Sequence, residues 1–158
     1  MRNLLVSFAM VIAVAIAAVL FGLARHAPAQ SDSNRAAPDA GPVKVVYHLT
    51  GGLDEAQHAM ANIRNHLRAD PTAKIVVVAN GNGIEFMLDG AKDHNGYPFD
   101  ATIQQLKAEG VDFRLCKSSL TWRKVDKSQV VPDVTIVESG VAEVARLEAK
   151  EGYVYLRP

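Results

Sequence analysis

The sequence predicts an α/β domain in three layers, with a mostly parallel five-stranded sheet between helices. Three observations point there. Short β-branched runs alternate with segments of helical period from Val43 onward. The run Lys74–Ala79 (K-I-V-V-V-A) is too short for a helix and too uniformly apolar for a half-exposed strand, as expected of a parallel strand covered on both faces. The stretch from Val111 to Leu115 alternates Val111, Phe113 and Leu115 with Asp112 and Arg114, then closes on Cys116. In sheets of this kind sites lie at the carboxyl ends of the strands.

Taken in order, Val43–Leu49 (V-K-V-V-Y-H-L) is the first strand, broken by Thr50-Gly51-Gly52. Asp54, with Gln57 as capping-box partner, is expected to start a helix. Ala56, Ala59, Met60, Ile63 and Leu67 share one face of that helix, and Asp70-Pro71 ends it. After the strand at Lys74–Ala79, Asn80-Gly81-Asn82-Gly83 reads as a strand-to-helix loop, because Ile84, Phe86, Met87 and Leu88 follow at helical spacing. Asp89–Pro98 is a polar loop. Asp100 is expected to cap a helix to Glu109, with Phe99, Ile103 and Leu106 inward and Gly110 at its end. Past Cys116, either Ser118 or Ser119 could cap a helix beginning near Leu120. Leu120–Val130 is basic and helical or irregular. Val134–Val137 is a strand. Ser139 and Gly140 open a last helix that turns Val141, Val144, Ala145 and Leu147 inward, Gly152 ends it, and Tyr153–Leu156 is the closing strand.

The N-terminal part is of a different kind. Leu4–Leu23 is almost wholly apolar, with Arg2 before it and Arg25 after it, and Ala27-Pro28-Ala29 has the small-residue arrangement of a signal-peptidase site. Residues 1–29 therefore read as an export signal cleaved after Ala29. The length of the apolar run also fits a retained single-span anchor, which needs roughly 20 residues. Either way the remaining chain is expected outside the cytoplasm, in the periplasm, free or anchored to the inner membrane. Residues 30–42 are polar and Ala/Pro-rich, a linker. Residues 43–158 make one domain. The full chain has 17 basic and 17 acidic residues. Losing Arg2 and Arg25 leaves it slightly acidic, and no basic run or basic stripe interleaved with aromatics is present, which excludes a nucleic-acid binder.

Cys116 is the only cysteine, so an exported form has no internal disulfide available. The thiol is then buried and inert, paired between chains, or kept reactive. A helix start or the nearby cations Lys117, Arg123 and Lys124 would favour the thiolate. Asn80, Gly81 and Gly83, with Gly51-Gly52 beside them, let backbone N–H groups approach an anion or a partner, or simply make tight turns; neither loop matches a dinucleotide fingerprint or a P-loop. Of the histidines His48, His58, His66 and His94, His94 sits in a loop with Asp89 and Asp93, and without a recognised ligand spacing it reads as part of a polar loop, so no metal is expected. Trp122 reads as a packing or subunit-contact residue.

Four stretches together resemble the DsrE/DsrF-like sulfur-relay family, in particular its exported members. They are Lys44–Leu49, V-V-V-A-N-G-N-G-I at Val76–Ile84, the strand ending in Cys116 with Leu120 after it, and the S-G-V-x-E run closed by G-Y-V-Y-L-R-P within Glu138–Pro158. The resemblance implies an α/β/α domain assembled into homo-oligomers, often trimers or hexamers. It also implies a cysteine at this strand end carrying sulfur as a persulfide, a role that falls on Cys116. Many exported relatives read C-x-N-T-L, whereas this chain reads Cys116-Lys117-Ser118-Ser119-Leu120.

Two functions from different classes follow. The first is a sulfurtransferase-type carrier without cofactor, in which Cys116 takes sulfur from a donor protein or small polysulfide and passes it to an acceptor, supported by Asn80, Gly81, Gly83, Lys117, Ser118 and Ser119. The second is a non-catalytic oligomeric binding module with a structural Cys116. A phosphate- or nucleotide-binding enzyme of flavodoxin-like shape has support from fold class alone.

Overall fold

A computed structural model of the protein describes residues 41–158. The Leu4–Leu23 segment, the Ala27–Ala29 site and most of the linker lie outside the described residues. Among the described residues no helix is long and apolar enough to cross a membrane.

The strands are β1 (Lys44–Leu49), β2 (Lys74–Ala79), β3 (Asp112–Cys116), β4 (Thr135–Val137) and β5 (Val154–Leu156). The helices are α1 (Leu53–Ala69), α2 (Phe99–Ala108), α3 (Lys117–Arg123) and α4 (Gly140–Glu151). Short 3-10 turns cover Gly81–Met87 and Lys127–Gln129. All strand pairs are parallel, in the order β4-β3-β2-β1-β5.

That order explains how the layers fill. Three successive connections step from β1 to β4 in one direction, and right-handed crossovers place them all on one face. The connection from β4 to β5 runs back across the sheet and puts α4 on the opposite face. The first face carries the larger core. Val45, Tyr47, Leu49, Ile75, Val77, Ala79, Phe113 and Leu115 meet α1 through Ala56, Ala59, Met60, Ile63 and Leu67, and α2 through Phe99, Ile103 and Leu106. Phe86 fills its centre, edge-on to Phe99 at 5.7 Å and Phe113 at 6.4 Å. The second face is thinner. Val46, Val76 and Val78 meet only Val144 and Leu147 of α4, with Tyr153 beside them. Polar clamps hold α4 there: Arg114 on β3 pairs with Asp112 and Glu143, and Arg146 pairs with Glu143 and Glu151. The Arg146 and Arg114 guanidinium groups hold the Glu143 carboxyl below its ordinary range, against a smaller upward push from burial.

Several local expectations are corrected. Asp54 and Gln57 do not cap α1. Its N-cap is Gly52 without a side-chain bond. Asp54 pairs with His94 at 2.8 Å, and Gln57 accepts the His94 amide. Pro98, not Asp100, precedes α2 as its cap residue. The α4 face is narrower than the periodicity implies: Val144 and Leu147 are buried, but Val141 is 59% exposed and Ala145 faces solvent. One covering helix over a two-residue-wide contact cannot reach that far round. Trp122, expected to pack or to meet another subunit, is 74% exposed and packs into no core among the described residues, which removes the first of the two readings.

Ser139 does cap α4, accepting from the Ala142 amide, and Gly152 ends it in the left-handed region at φ 72°.

The loop after β2 lies hard against the end of β1. A Cβ at Gly83 would stand 2.2 Å from the Leu49 carbonyl oxygen, a backbone atom that cannot step aside. Gly90, by contrast, has φ 78° and open space around it. Gly83→Ala is expected to cost about 3 kcal/mol or more through forced backbone displacement, and Gly90→Ala about 1 kcal/mol through strain alone. Paired thermal or urea melts of the two variants measure this, and equal losses would contradict it.

Candidate functional site

Cys116 is the last residue of β3 and the N-cap residue of α3 at once. This corrects the expected cap: neither serine after it serves. Ser119 turns inward and its Oγ accepts from the Gly81 amide at 2.8 Å. Ser118 donates to the Glu138 carbonyl at 3.0 Å. Lys117 reaches the same residue, with Nζ at 2.7 and 2.9 Å from the Glu138 carboxylate oxygens. The first turn of α3 is thus tied on one side to the loop after β2 and on the other to the loop before α4.

The α4 start completes the enclosure. A Cβ on Gly140 would lie 3.1 Å from the Cβ atoms of both Cys116 and Asn80. A glycine lets the first residue of α4 rest closely on the ends of β2 and β3 together, where any side chain would be tightly packed. The Cys116 thiol is free and 5% exposed.

Burial pushes the thiol pKa up. The Ser119 hydroxyl and the amides of Gly140, Ser119 and Ser118 outweigh burial, so the pKa lies below the ordinary thiol value. The sulfur makes no strict cap hydrogen bond to α3; these groups act as a shell of dipoles that favours the thiolate.

The glycine-rich loops are occupied from within. Glu55 Oε2 accepts the Thr50 amide at 2.7 Å and the Gly51 amide at 2.5 Å. Gly81, at φ 58°, gives its amide to Ser119. Gly83 serves the close approach to Leu49 and bonds back to the Asn80 carbonyl. Of the residues singled out from sequence, Asn80, Gly81, Ser119 and Cys116 therefore meet. Lys117 and Ser118 turn toward Glu138, and Gly83 supports the loop from behind.

Two further residues join the site. His48 Nε2 lies 2.7 Å from Asn80 Oδ1, and His48 Nδ1 lies 3.2 Å from the Tyr155 hydroxyl. The His48 and Tyr155 rings meet edge to face at 5.7 Å. His48 had one sequence signal: it is a polar residue within the apolar part of its strand, with the same parity as Val46. Gly140 had another, as the glycine directly after a helix cap. Tyr155 had none that separated it from its neighbours.

Among the described residues no group of three or more His, Cys, Asp or Glu side chains is arranged to hold a metal. The Asp93 carboxylate near His94 is engaged by the Asn95 and Tyr97 amides of its own turn.

What the arrangement can do chemically is narrow. It offers one buried thiol whose pKa is lowered, helix-start and hydroxyl dipoles that favour negative charge on sulfur, and an amide side chain beside it.

Comparison with known proteins agrees with this architecture. The solved structure of MTH1491, a protein of unknown function from Methanobacterium thermoautotrophicum, has a TM-score of 0.65 and 25% identity, covering 73% of this chain and 99% of that one. The ychN protein of E. coli has a TM-score of 0.59 at 16% identity, covering 75% of this chain and 99% of its own, and shares the fold. A search of curated proteins finds no match. The model of the DsrE/DsrF-like family matches residues 19–158, which include all five strands and the Cys116 site, and the chain belongs to the DsrE/DsrF-like family.

Proposed function

We propose that the protein is a sulfur-relay protein that carries sulfur as a persulfide on Cys116. The observation that carries this reading is the thiol itself: the sole cysteine, buried at a strand end, with a pKa lowered by Ser119 and by the amides that open α3 and α4. A structural cysteine in an apolar site would have its pKa raised.

The Cys116 thiolate attacks the outer sulfur of a donor persulfide. The donor's S–S bond breaks, a new S–S bond forms on Cys116, and the donor leaves as a thiolate. Transfer onward is the same displacement by an acceptor thiolate on the outer sulfur of Cys116, which regenerates the Cys116 thiolate. Each transfer conserves charge and oxidation state, so the exchange requires no cofactor. Donor and acceptor are proteins bearing reactive thiols or small polysulfides.

The proposal extends to assembly and place. The exposed apolar side chains Trp122, Val141, Val154, Tyr155 and Leu156 favour a homo-oligomer, a trimer or hexamer. The apolar Leu4–Leu23 run and the Ala27–Ala29 site favour export to the periplasm, where a lone thiol stays available for exchange.

Two measurements follow. Mass spectrometry after incubation with inorganic polysulfide is expected to show an added sulfur atom on the wild-type domain and none on Cys116→Ser. An unmodified Cys116 would contradict the reading. The rate of Cys116 alkylation against pH is expected to rise to a plateau with a midpoint below that of an ordinary exposed cysteine thiol measured alongside. Ser119→Ala removes the hydroxyl that favours the thiolate, so its midpoint moves up and its rate at neutral pH falls roughly threefold to tenfold. It also strands the Gly81 amide, at a cost of about 1–3 kcal/mol in stability. A midpoint at or above the ordinary value in the wild type would count against an activated thiol.

A further inference from the structure

The face of the sheet beneath α4 carries a polar row that no core packing requires. Strand alternation places Val46 and His48, Val76 and Val78, and Asp112, Arg114 and Cys116 on that face. Asn80 stands one step beyond the Ala79–Leu115 pair, level with Cys116 in the parallel register. Tyr155 pairs in register with Val46 and so also faces α4. Tyr155, His48, Asn80 and Cys116 therefore run across four strands as one diagonal row, ending at the thiol.

Donor and acceptor logic orders the row. Asn80 Oδ1 accepts only, so His48 Nε2 carries the proton of the 2.7 Å bond. In the neutral ring Nδ1 is then an acceptor, and it takes the Tyr155 hydroxyl at 3.2 Å. The amide oxygen of Asn80 is spoken for and its orientation is set. The Nδ2 amino group keeps its two N–H donors and has no hydrogen-bond partner among the described residues.

The needs of a persulfide match this remainder. The Ser119 hydroxyl and the α3 and α4 amides act on Sγ of Cys116. In a persulfide anion the charge sits on the outer sulfur, one S–S bond or about 2 Å further out. It therefore needs a donor beyond those that serve Sγ. Asn80, which shares the Gly140 contact with Cys116, is the amide side chain at that level of the sheet.

We propose that Asn80 receives the outer sulfur of the Cys116 persulfide through its amino group, with His48 and Tyr155 as positioning residues that hold the amide. This rests on the persulfide reading of Cys116. It assigns the row one ligand class, a sulfane-sulfur anion.

The test compares variants of the folded protein with inorganic polysulfide as the probe. Persulfide yield on Cys116 is read by mass spectrometry, and alkylation of the unmodified thiol is read in parallel. Asn80→Ala is expected to lower persulfide yield about tenfold, the effect of one charge-assisted hydrogen bond, with alkylation changed much less. Asn80→Asp keeps an acceptor for His48 but offers an anion in place of the donor, so its yield falls below that of Asn80→Ala. His48→Ala loses about threefold by freeing the amide, and His48→Gln, whose side-chain N–H can reach Asn80, restores the yield. The inference is overturned if Asn80→Ala loads sulfur as well as wild type, or if yield and alkylation fall in equal proportion. It also falls if His48→Gln behaves as His48→Ala. A wild-type protein that takes up no sulfur overturns the relay reading itself, whereas a loaded wild type with an equally loaded Asn80→Ala overturns only the role of Asn80.

Discussion

The contact of Gly140 with the ends of β2 and β3 sets the geometry of everything around Cys116. Among the described residues α4 is the only helix on its face of the sheet, because the connection from β4 to β5 is the only one that runs back across it. Its first residue must lie on Asn80 and Cys116 without a side chain between them. A larger residue there would crowd the Cβ atoms of both and press on the helix start that carries one of the amides favouring the thiolate. The clamps from Arg114 and Arg146 to Glu143 hold the same helix from its middle. The thin second core and the dipole shell of the thiol are thus two results of one placement.

Burial and ionisation oppose each other at this site, and the balance is informative. Cys116 is 5% exposed, which alone would keep it protonated and inert. The dipoles reverse the sign. The cover itself is weakly fastened: the Lys117–Glu138 pair sits at the surface, with the Glu138 side chain 84% exposed. Pairs of that kind contribute about 0–1 kcal/mol.

The layers, the strand positions and the strand end at Cys116 were legible in the sequence because they rest on local periodicity. The inward face of α1 and the Ser139 cap of α4 are read the same way. What was not legible depends on partners distant in sequence. Glu55 turns back to the Thr50 and Gly51 amides, so of the two readings of that loop, anion approach or tight turn, the amides are already taken from within the chain. Cys116 takes the cap position itself because Ser118 and Ser119 are drawn to Glu138 and Gly81. Val141 and Ala145 follow the helical period of the core face, yet one helix over a narrow contact leaves them in solvent. The row from Tyr155 to Cys116 spans four strands and exists only in the parallel register, so no spacing along the chain announces it.

The proposed role of Cys116 is a seat for sulfur between the starts of α3 and α4, beside Asn80. It is tested most directly by a crystal structure of polysulfide-treated protein. The account predicts additional density for one sulfur atom bonded to Sγ of Cys116, within hydrogen-bond reach of the Asn80 amino group, with α4 still seated on Gly140. An unmodified thiol under conditions that load other reactive cysteines would contradict it.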